Sequence, residues 1–330
     1  MPTLADLARD ERSARMVLAI IAEPNSSPTG RLLATLGGVN TVKVIESENS
    51  IPGMDQVDGA VWRDRARNRI TLDRIAEIMA QSDHFDFVTP DDQGWPIQLN
   101  DLGDRAPYGL WARGDSGLLE VGAQRLVTIS GARAVTEYGQ HVTEELASDL
   151  AHENVMIVAG GAYGIEGAAH SSALSHGGST IAVLASGIDR PYPSGHADLF
   201  DRIGQSGLIV SETPPGSAPT RQRFIERSRL LAAFSAATVI VEAGTRSGSM
   251  HVAAEAESLG RQLGAVPGPI TSAASYGTNL LLQQGRANVI ANATDIADMI
   301  AHDESAHDFP SIGTPVVRTE QQHSATQRTL

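Results

Sequence analysis

Two patterns of hydrophobic and polar positions divide the chain near residue 94. Before that point, apolar residues recur at roughly helical spacing, with interruptions at "PNSSP" (24–28) and at the pair Gly37 and Gly38. The helical segments are "ARMVLAIIAE" (14–23), "TGRLLATLGGVNTVKVIES" (29–47) and "ITLDRIAEIMAQSD" (70–83). We therefore predict a small helical domain over residues 1–93.

After residue 94, short apolar runs rich in β-branched residues alternate with helical segments. The runs are "LVTIS" (126–130), "VMIVAG" (155–160), "TIAVLAS" (180–186), "LIVSE" (208–212), "ATVIVEA" (237–243) and "LGAVPG" (263–268). In the helical segment 138–153, Val142, Leu146 and Leu150 repeat every fourth residue. Apolar strands separated by amphipathic helices indicate a parallel sheet covered on both faces. Residues 94–300 are thus predicted to form a doubly wound, mostly parallel α/β domain.

Both ends of the chain are polar. The N-terminal segment "MPTLADLARDERSARM" mixes acids and arginines before any apolar run, which is not the pattern of a secretory signal. Residues 301–330 show no sustained period and are predicted to form a disordered polar tail. The sequence contains no run of about 18 apolar residues, the length needed to cross a bilayer. We expect a cytoplasmic protein.

Composition and motifs exclude several classes of enzyme. The chain has no cysteine, which excludes thiolate catalysis and cysteine-based zinc sites. The motifs of an ordinary P-loop, a hydrolase nucleophile elbow and an H-E-x-x-H zinc site do not occur. The ten histidines do not cluster at metal-ligand spacing, and no pattern pairs Glu166 with Glu242 for acid–base work. We predict no catalytic residue, no metal and no cofactor.

Three turns that follow predicted strands combine glycine with residues suited to anions. Their residues are Gly131 and Arg133 in the first turn, Gly160, Gly161 and Gly164 in the second, and Arg246, Ser247, Gly248 and Ser249 in the third. The carboxyl ends of parallel strands meet at one edge of a sheet, and there a helix N-terminus offers N–H donors to an anion. Each turn alone is equally a tight strand-to-helix connection, so the prediction of an anion site rests on their convergence.

A cluster of arginines precedes the fifth predicted strand. The segment "TRQRFIERSRL" (220–230) carries four arginines and one glutamate, a local charge of +3 in a chain whose formal net charge is −14. Such a run is either a solvated helix face or a wall of the cleft, which Arg223, Arg227 and Arg229 can approach. The local field, rather than the net charge, decides whether a phosphate is attracted.

Several motifs, taken in order, resemble the DNA-processing protein family DprA, also called Smf. They span about 95–290 and include "WPIQLNDLGDRAPYGLWARGD" (95–115), "GARAVTEYG" (131–139), "GGAYGIEGAAH" (160–170), "RFIERSRLLAAFS" (223–235), "SGSMHVAAEA" (247–256) and "YGTNLLLQQG" (276–285). The resemblance implies a Rossmann-like domain that binds single-stranded DNA in a basic pocket without catalysis. It also implies a homodimer that loads a RecA-type recombinase during natural transformation.

By position, the resemblance assigns phosphate contacts to ten residues of the turns and of the arginine cluster. They are Gly131, Arg133, Gly161, Gly164, Arg227, Arg229, Arg246, Ser247, Gly248 and Ser249. The chain departs from the family pattern at Glu166, Ser228, Val252 and Ala254, and it has Tyr163 where some relatives carry lysine. Tyr163 either stacks on a base or packs against the protein. The alternative ligand is a small nucleotide, bound by a sensor or a nucleotide phosphoribohydrolase-like enzyme, which the acidity of the chain and its lost basic positions favour. We rank it second, because the chain has "EAGTRSGSM" (242–250) where those enzymes carry Pro-Gly-Gly-x-Gly-Thr-x-x-Glu. A third hypothesis is a partner-binding relative with no ligand.

Overall fold

The computed structural model describes residues 3–68 and 70–307, and in this part of the chain nine strands form one sheet. The first residues of the tail predicted over 301–330 belong to a helix that runs over Ala293–His307, and from residue 308 onward the tail lies outside the described residues. The strands are β1 (Asp86–Val88), β2 (Leu110–Gly114), β3 (Leu126–Ser130), β4 (Met156–Ala159), β5 (Thr180–Leu184), β6 (Leu208–Ser211), β7 (Ala237–Ile240), β8 (Gln262–Ala265) and β9 (Asn288–Val289).

The strand order across the sheet is β1-β2-β6-β5-β4-β3-β7-β8-β9. Strands β3 to β9 pair in parallel with their neighbours, whereas β2 pairs antiparallel with both β1 and β6. The six predicted apolar runs are β3 to β8, which confirms the doubly wound, mostly parallel α/β sheet. The sequence analysis missed β1, β2 and β9, which are short or lie towards the edges of the sheet.

Helices cover both faces of this sheet. They are α1 (Leu4–Leu7), α2 (Glu11–Ile21), α3 (Ser27–Glu46), α4 (Gln56–Asn68), α5 (Leu72–Gln81), α6 (Glu137–His152), α7 (Ile165–Ser175), α8 (Ala197–Ser206), α9 (Arg221–Phe234), α10 (Ser249–Ser258), α11 (Tyr276–Gln283) and α12 (Ala293–His307). The central strands β3 and β5 are buried along their whole length, as two covered faces require. Among the described helices, none combines the length and apolar character of a bilayer-crossing segment.

The first five helices precede the sheet. The predicted break in the segment 29–47 is a kink in α3 at Gly37, whose φ of 74° suits glycine. The sequence analysis did not predict α4. Core residues of α2 such as Leu18 belong to the same apolar cluster as Phe87 of β1 and Trp111 of β2, so these helices share a core with the edge of the sheet. The sheet begins at residue 86, and the division at residue 94 stays a prediction.

The chain reverses its direction across the sheet next to β3. From β3 it proceeds through β4 and β5 to β6, and it then returns to the other side of β3 to form β7 and β8. In open α/β sheets this switch point leaves a crevice beyond the carboxyl ends of the two strands, because their connections diverge to opposite sides. The topology therefore places the turns after β3 and β7 around one crevice.

Candidate functional site

A cleft of about 780 Å³ opens at this switch point. Its walls include Gly131 and Arg133 after β3, and the turn Gly244–Ser249 after β7. Ala162, from the turn after β4, and Glu166, from the first turn of α7, also line it. The three turns singled out in the sequence thus meet at one cleft, as their positions on the sheet require.

The N-terminus of α10 borders the cleft without a side-chain cap. Gly248 is its N-cap residue, and no side chain accepts a hydrogen bond from the first turn. Ser247 and Ser249 add hydroxyl groups whose oxygens lie 2.8 Å apart. A Cβ atom at Gly248 would meet nothing within 4 Å, so the space beside this backbone is open. The Met250 and His251 N–H groups donate to the carbonyl oxygens of Ser247 and Gly248, so the N–H groups of Gly248 and Ser249 and the positive dipole end are what this end of the cleft offers an anion.

The N-terminus of α7, by contrast, is occupied by a carboxylate of the protein. Glu166 accepts a hydrogen bond from the Ala162 N–H at 3.1 Å and another from the Ser130 hydroxyl at 2.9 Å. The Glu166 residue is only 5% exposed. A carboxylate here gains the same dipole stabilisation that a phosphate would gain. These donors are therefore already used within the fold.

The glycines of the turn after β4 make room for the protein itself. A Cβ atom at Gly160 would overlap the guanidinium of Arg227, and one at Gly164 would overlap the carbonyl oxygen of Ala132. Gly161 and Gly164 also have positive φ angles of 75° and 77°, which favour glycine. None of the three glycines lines the cleft. They shape the turn and let a buried cation approach it.

That cation is Arg227, which forms part of the cleft wall. Its Nη1 donates to the carbonyl oxygen of Val183 at 2.8 Å, and its Nη2 lies 3.9 Å from Glu166 Oε2. Within the described residues its Nε has no hydrogen-bond partner. Burial lowers the pKa of this guanidinium, while the carboxylate of Glu166 opposes the shift. The wall thus holds a buried positive charge that is incompletely paired, a state that a bound anion would relieve.

A second cavity of about 380 Å³ continues the cleft. It shares four lining residues with the first cavity, namely Arg133, Phe224, Arg246 and Gly248. Its other lining residues are Arg221, Ile225 and His251. The guanidinium carbon of Arg133 lies 4.7 Å from the centroid of the Phe224 ring, a cation–π contact that orients this arginine. The two cavities together form a groove with three exposed arginines along it.

Two of the three predicted arginines of the α9 segment lie elsewhere. Arg229 is fully buried and forms a bidentate ion pair with Glu212, with both N–O distances at 2.6 Å. Arg223 donates through Nη1 to the carbonyl oxygen of Ala218 at 2.7 Å. Neither residue lines the cleft. Among the arginines of this segment, Arg227 alone lines the first cavity, while Arg229 binds Glu212, the residue that follows β6.

The tyrosine of the second turn is also outside the cleft lining. The ring of Tyr163 packs edge-on against His196, with ring centroids 4.7 Å apart. Tyr276, which the sequence analysis did not single out, does line the cleft and is 60% exposed. It begins α11, the first α-helix after the strand β8. Its place after the carboxyl end of a predicted strand was the signal that could have identified it.

The two carboxylates considered for catalysis each accept two hydrogen bonds within the fold. Glu242 is buried and accepts hydrogen bonds from the N–H and the hydroxyl of Thr136, at 3.0 Å and 2.8 Å, at the start of α6. Glu166 lies in the first turn of α7 and accepts from Ser130 and from Ala162, which precedes that helix. Within residues 3–68 and 70–307, no group of three or more His, Cys, Asp or Glu side chains could hold a metal ion.

The family model of DNA recombination-mediator protein A matches residues 86–301. The chain belongs to this family. The match begins with β1 and includes every strand of the sheet and every turn of the cleft. The function of the chain is therefore DNA processing in recombination.

Individual members of the recombination-mediator family match over most of the chain. A putative DNA processing protein DprA of Mycobacterium tuberculosis is 42% identical over 311 residues, which are 90% of this chain and 77% of that relative. The X-ray structure of DprA from Streptococcus pneumoniae has a TM-score of 0.71 at 26% identity and covers 90% of this chain and 98% of its own. DprA from Helicobacter pylori, in a study of its single-stranded DNA binding mode, has a TM-score of 0.59 at 33% identity. That match covers 67% of this chain and 98% of the other.

Proposed function

We propose that this recombination-mediator protein binds single-stranded DNA in the groove formed by the two cavities. The observation that carries the proposal is their continuity through Arg133, Phe224, Arg246 and Gly248. A small nucleotide needs one anion site, whereas the second cavity adds Arg221 and room for further phosphates. The Helicobacter pylori relative, whose structure addresses single-stranded DNA binding, supports the same ligand.

Different residues of the cleft make different contacts with the phosphates of the strand. Arg133 and Arg246 are exposed and pair with phosphate oxygens, because guanidinium forms strong charge-assisted hydrogen bonds with them. The backbone at Gly248 and Ser249 donates N–H groups from the start of α10. Arg227 supplies a buried positive charge behind them. Contacts of this kind position a strand without reading its sequence, so we expect weak sequence preference.

The acidic surface of the chain is compatible with this ligand. A formal net charge of −14 repels DNA in general, but a groove lined by arginines focuses a local positive potential. The strand is therefore held where the arginines converge and is repelled elsewhere. This arrangement favours a short, defined path for the strand rather than non-specific coating of the surface.

Three finer parts of the proposal follow from family membership. The protein acts as a non-catalytic carrier, it forms a homodimer, and it loads a RecA-type recombinase onto the strand during natural transformation. The hydrogen bonds that Glu166 and Glu242 accept support the first part, since both carboxylates are engaged in the fold. Sedimentation at the mass of one chain would contradict the second part, and unchanged RecA filament assembly on coated strands would contradict the third.

The proposal is tested by titrating a labelled 20-nucleotide oligo-dT and following fluorescence anisotropy at several salt concentrations. The logarithm of the affinity should fall linearly with the logarithm of salt, with a slope of roughly −0.7 for each phosphate neutralised. Arg133→Ala should weaken binding and make the slope shallower by about 0.7, because one phosphate contact is lost. Arg74→Ala serves as the control, since Arg74 lies on α5 and pairs with Glu77.

Two results would contradict single-stranded DNA as the ligand. The first is an affinity that does not depend on salt, or no binding at micromolar protein. The second is thermal stabilisation by mononucleotides but not by oligonucleotides, which would favour the nucleotide hypothesis. No response to either ligand would instead favour a partner-binding relative with an empty cleft.

A further inference from the structure

One exposed aromatic side chain of the groove has no partner within the described part of the protein. Tyr276 lines the first cavity and is 60% exposed. The other exposed tyrosines have partners: Tyr138 donates its hydroxyl to the Pro267 carbonyl, while the rings of Tyr163 and Tyr192 pack edge-on against His196 and Phe224. Among the described residues, no aromatic ring contact or side-chain hydrogen bond involves Tyr276.

The backbone holds this ring firmly at the cleft. The N–H of Gly277 donates to the carbonyl oxygen of Ala243 at 2.7 Å, which ties the start of α11 to the segment after β7. A Cβ atom at Gly277 would lie 2.6 Å from the same oxygen, so the approach depends on glycine. The backbone that carries the ring is therefore a helix end bonded to the cleft wall rather than a loop. Binding a ligand then costs the rotamer freedom of this side chain but little backbone entropy.

We propose that Tyr276 is a stacking platform for one base of the bound strand. The inference rests on the proposed function, because it assumes that phosphates lie along Arg246 and the start of α10, on the same cavity wall. Every base has a π-face, so stacking on tyrosine is tolerant of sequence. In a duplex the faces of internal bases are covered by their neighbours. A tyrosine platform therefore also supplies a physical reason to prefer single strands, which phosphate contacts alone do not.

The experiment compares two ligands that carry the same number of phosphates. One is a 20-nucleotide oligo-dT, and the other is a 20-unit abasic strand with the same backbone and no bases. For the intact chain, oligo-dT should bind about 5 to 150 times more tightly, as expected for a stacking energy of about 1–3 kcal/mol. Tyr276→Ala should lose most of this preference and keep its affinity for the abasic strand. Tyr276→Phe should retain the preference, because the ring remains.

The outcomes separate this inference from the proposed function. If the intact chain binds neither strand, the proposed function itself is contradicted. If the intact chain and Tyr276→Ala prefer oligo-dT over the abasic strand by the same factor, the phosphate groove stands and the stacking role is overturned. An equal loss of affinity for both strands in Tyr276→Ala would also overturn it, since the ring would then matter to the phosphate site. Val57→Ala is the matched control: Val57 is 72% exposed on α4, outside the groove, and its removal should change neither affinity.

Discussion

The two helix N-termini on the β4 and β7 sides of the cleft look alike in sequence and differ in the structure. Both follow a buried strand and a glycine-rich turn, and neither has a side-chain cap at its N-cap residue. At α7, the buried Glu166 accepts the hydrogen bonds of Ser130 and Ala162. At α10, the first turn contains no acidic residue, and the space beside Gly248 is open. One end of the cleft is filled by the fold, and the other is left for a ligand.

The difference shows that a glycine-rich turn has two distinct uses. Around α7 the missing side chains admit parts of the protein, above all the guanidinium of Arg227 beside Gly160. Around α10 the missing side chain leaves backbone accessible from outside. At α7 the Ile165, Gly167 and Ala168 N–H groups donate to backbone carbonyls, and the carboxylate of Glu166 places a negative charge at the positive end of the helix dipole, where it repels a phosphate.

The largest effect is expected when a glycine beside each of these two helix N-termini is replaced by alanine. Gly160→Ala should destabilise the fold by about 2–4 kcal/mol, because the new Cβ would displace the buried guanidinium of Arg227 from its bond to Val183. Gly248→Ala should change the stability by no more than about 0.5 kcal/mol, yet weaken oligo-dT binding, because its Cβ enters the open space. Urea unfolding and anisotropy measure the two effects. Equal destabilisation by both variants would contradict the comparison.

The stability of the fold should also depend on pH through His170 of α7. This residue is fully buried, and burial lowers the pKa of His170 to about 4, below its usual 6.5. Thr180 Oγ1 lies 2.7 Å from the Ile157 carbonyl oxygen, to which it donates, and 2.7 Å from His170 Nδ1. The Nδ1–H therefore donates to Thr180, and Nε2, which is unpartnered among the described residues, carries the lone pair.

The sign of the pH effect follows from proton binding. Between pH 6.5 and 4 the unfolded chain binds a proton at His170 that the folded chain does not bind, so acid favours unfolding. His170 should therefore remove about 3 kcal/mol of stability as the pH falls through this window, with no loss above it. His170→Asn should show a correspondingly shallower pH dependence in urea unfolding. Identical pH profiles for the two proteins would contradict a neutral, buried His170.

A smaller effect is expected when the negative charge of Glu166, at the start of α7, is removed. Glu166→Gln keeps oxygen and nitrogen atoms near Ser130 and Ala162 but removes a negative charge from the cleft wall. A phosphate bound near the start of α10 should then be attracted by about 1 kcal/mol more, roughly a fivefold gain in affinity for oligo-dT. Anisotropy at one fixed salt concentration checks this. Unchanged or weaker binding would mean that the phosphates lie far from this wall.

The core of the fold could be read from the sequence because burial on two faces leaves a strong pattern. The runs that became β3 to β8 are apolar and bounded by turns, and α6 shows its period in Val142, Leu146 and Leu150. The antiparallel strands β1 and β2 carry no such pattern: β1 is a three-residue edge strand, and β2, which lies between β1 and β6, is buried only over its first three residues. Helix α4 was missed because it is polar, with only Gly59 and Ala66 buried.

The candidate site could be located from the sequence but not resolved into individual roles. Strand ends placed Gly131, Arg133 and the turn 244–249 at one edge, and the structure brings them together. Sequence spacing could not separate Arg227, which lines the cleft, from Arg229, which pairs with Glu212, because two residues along a helix change the direction of a side chain by more than half a turn. Such distinctions depend on tertiary packing.

Backbone amide shifts measured during a titration with oligo-dT test the central claim most directly. In two-dimensional amide NMR spectra, the N–H signals of Gly248 and Ser249 should move strongly as phosphates bind at the start of α10. The signals of Gly160 and Gly164 should move little, because that turn packs against the protein. Large shifts at Gly160 and Gly164 with none at Gly248 and Ser249 would contradict the account, because the strand would then occupy the end that Glu166 closes.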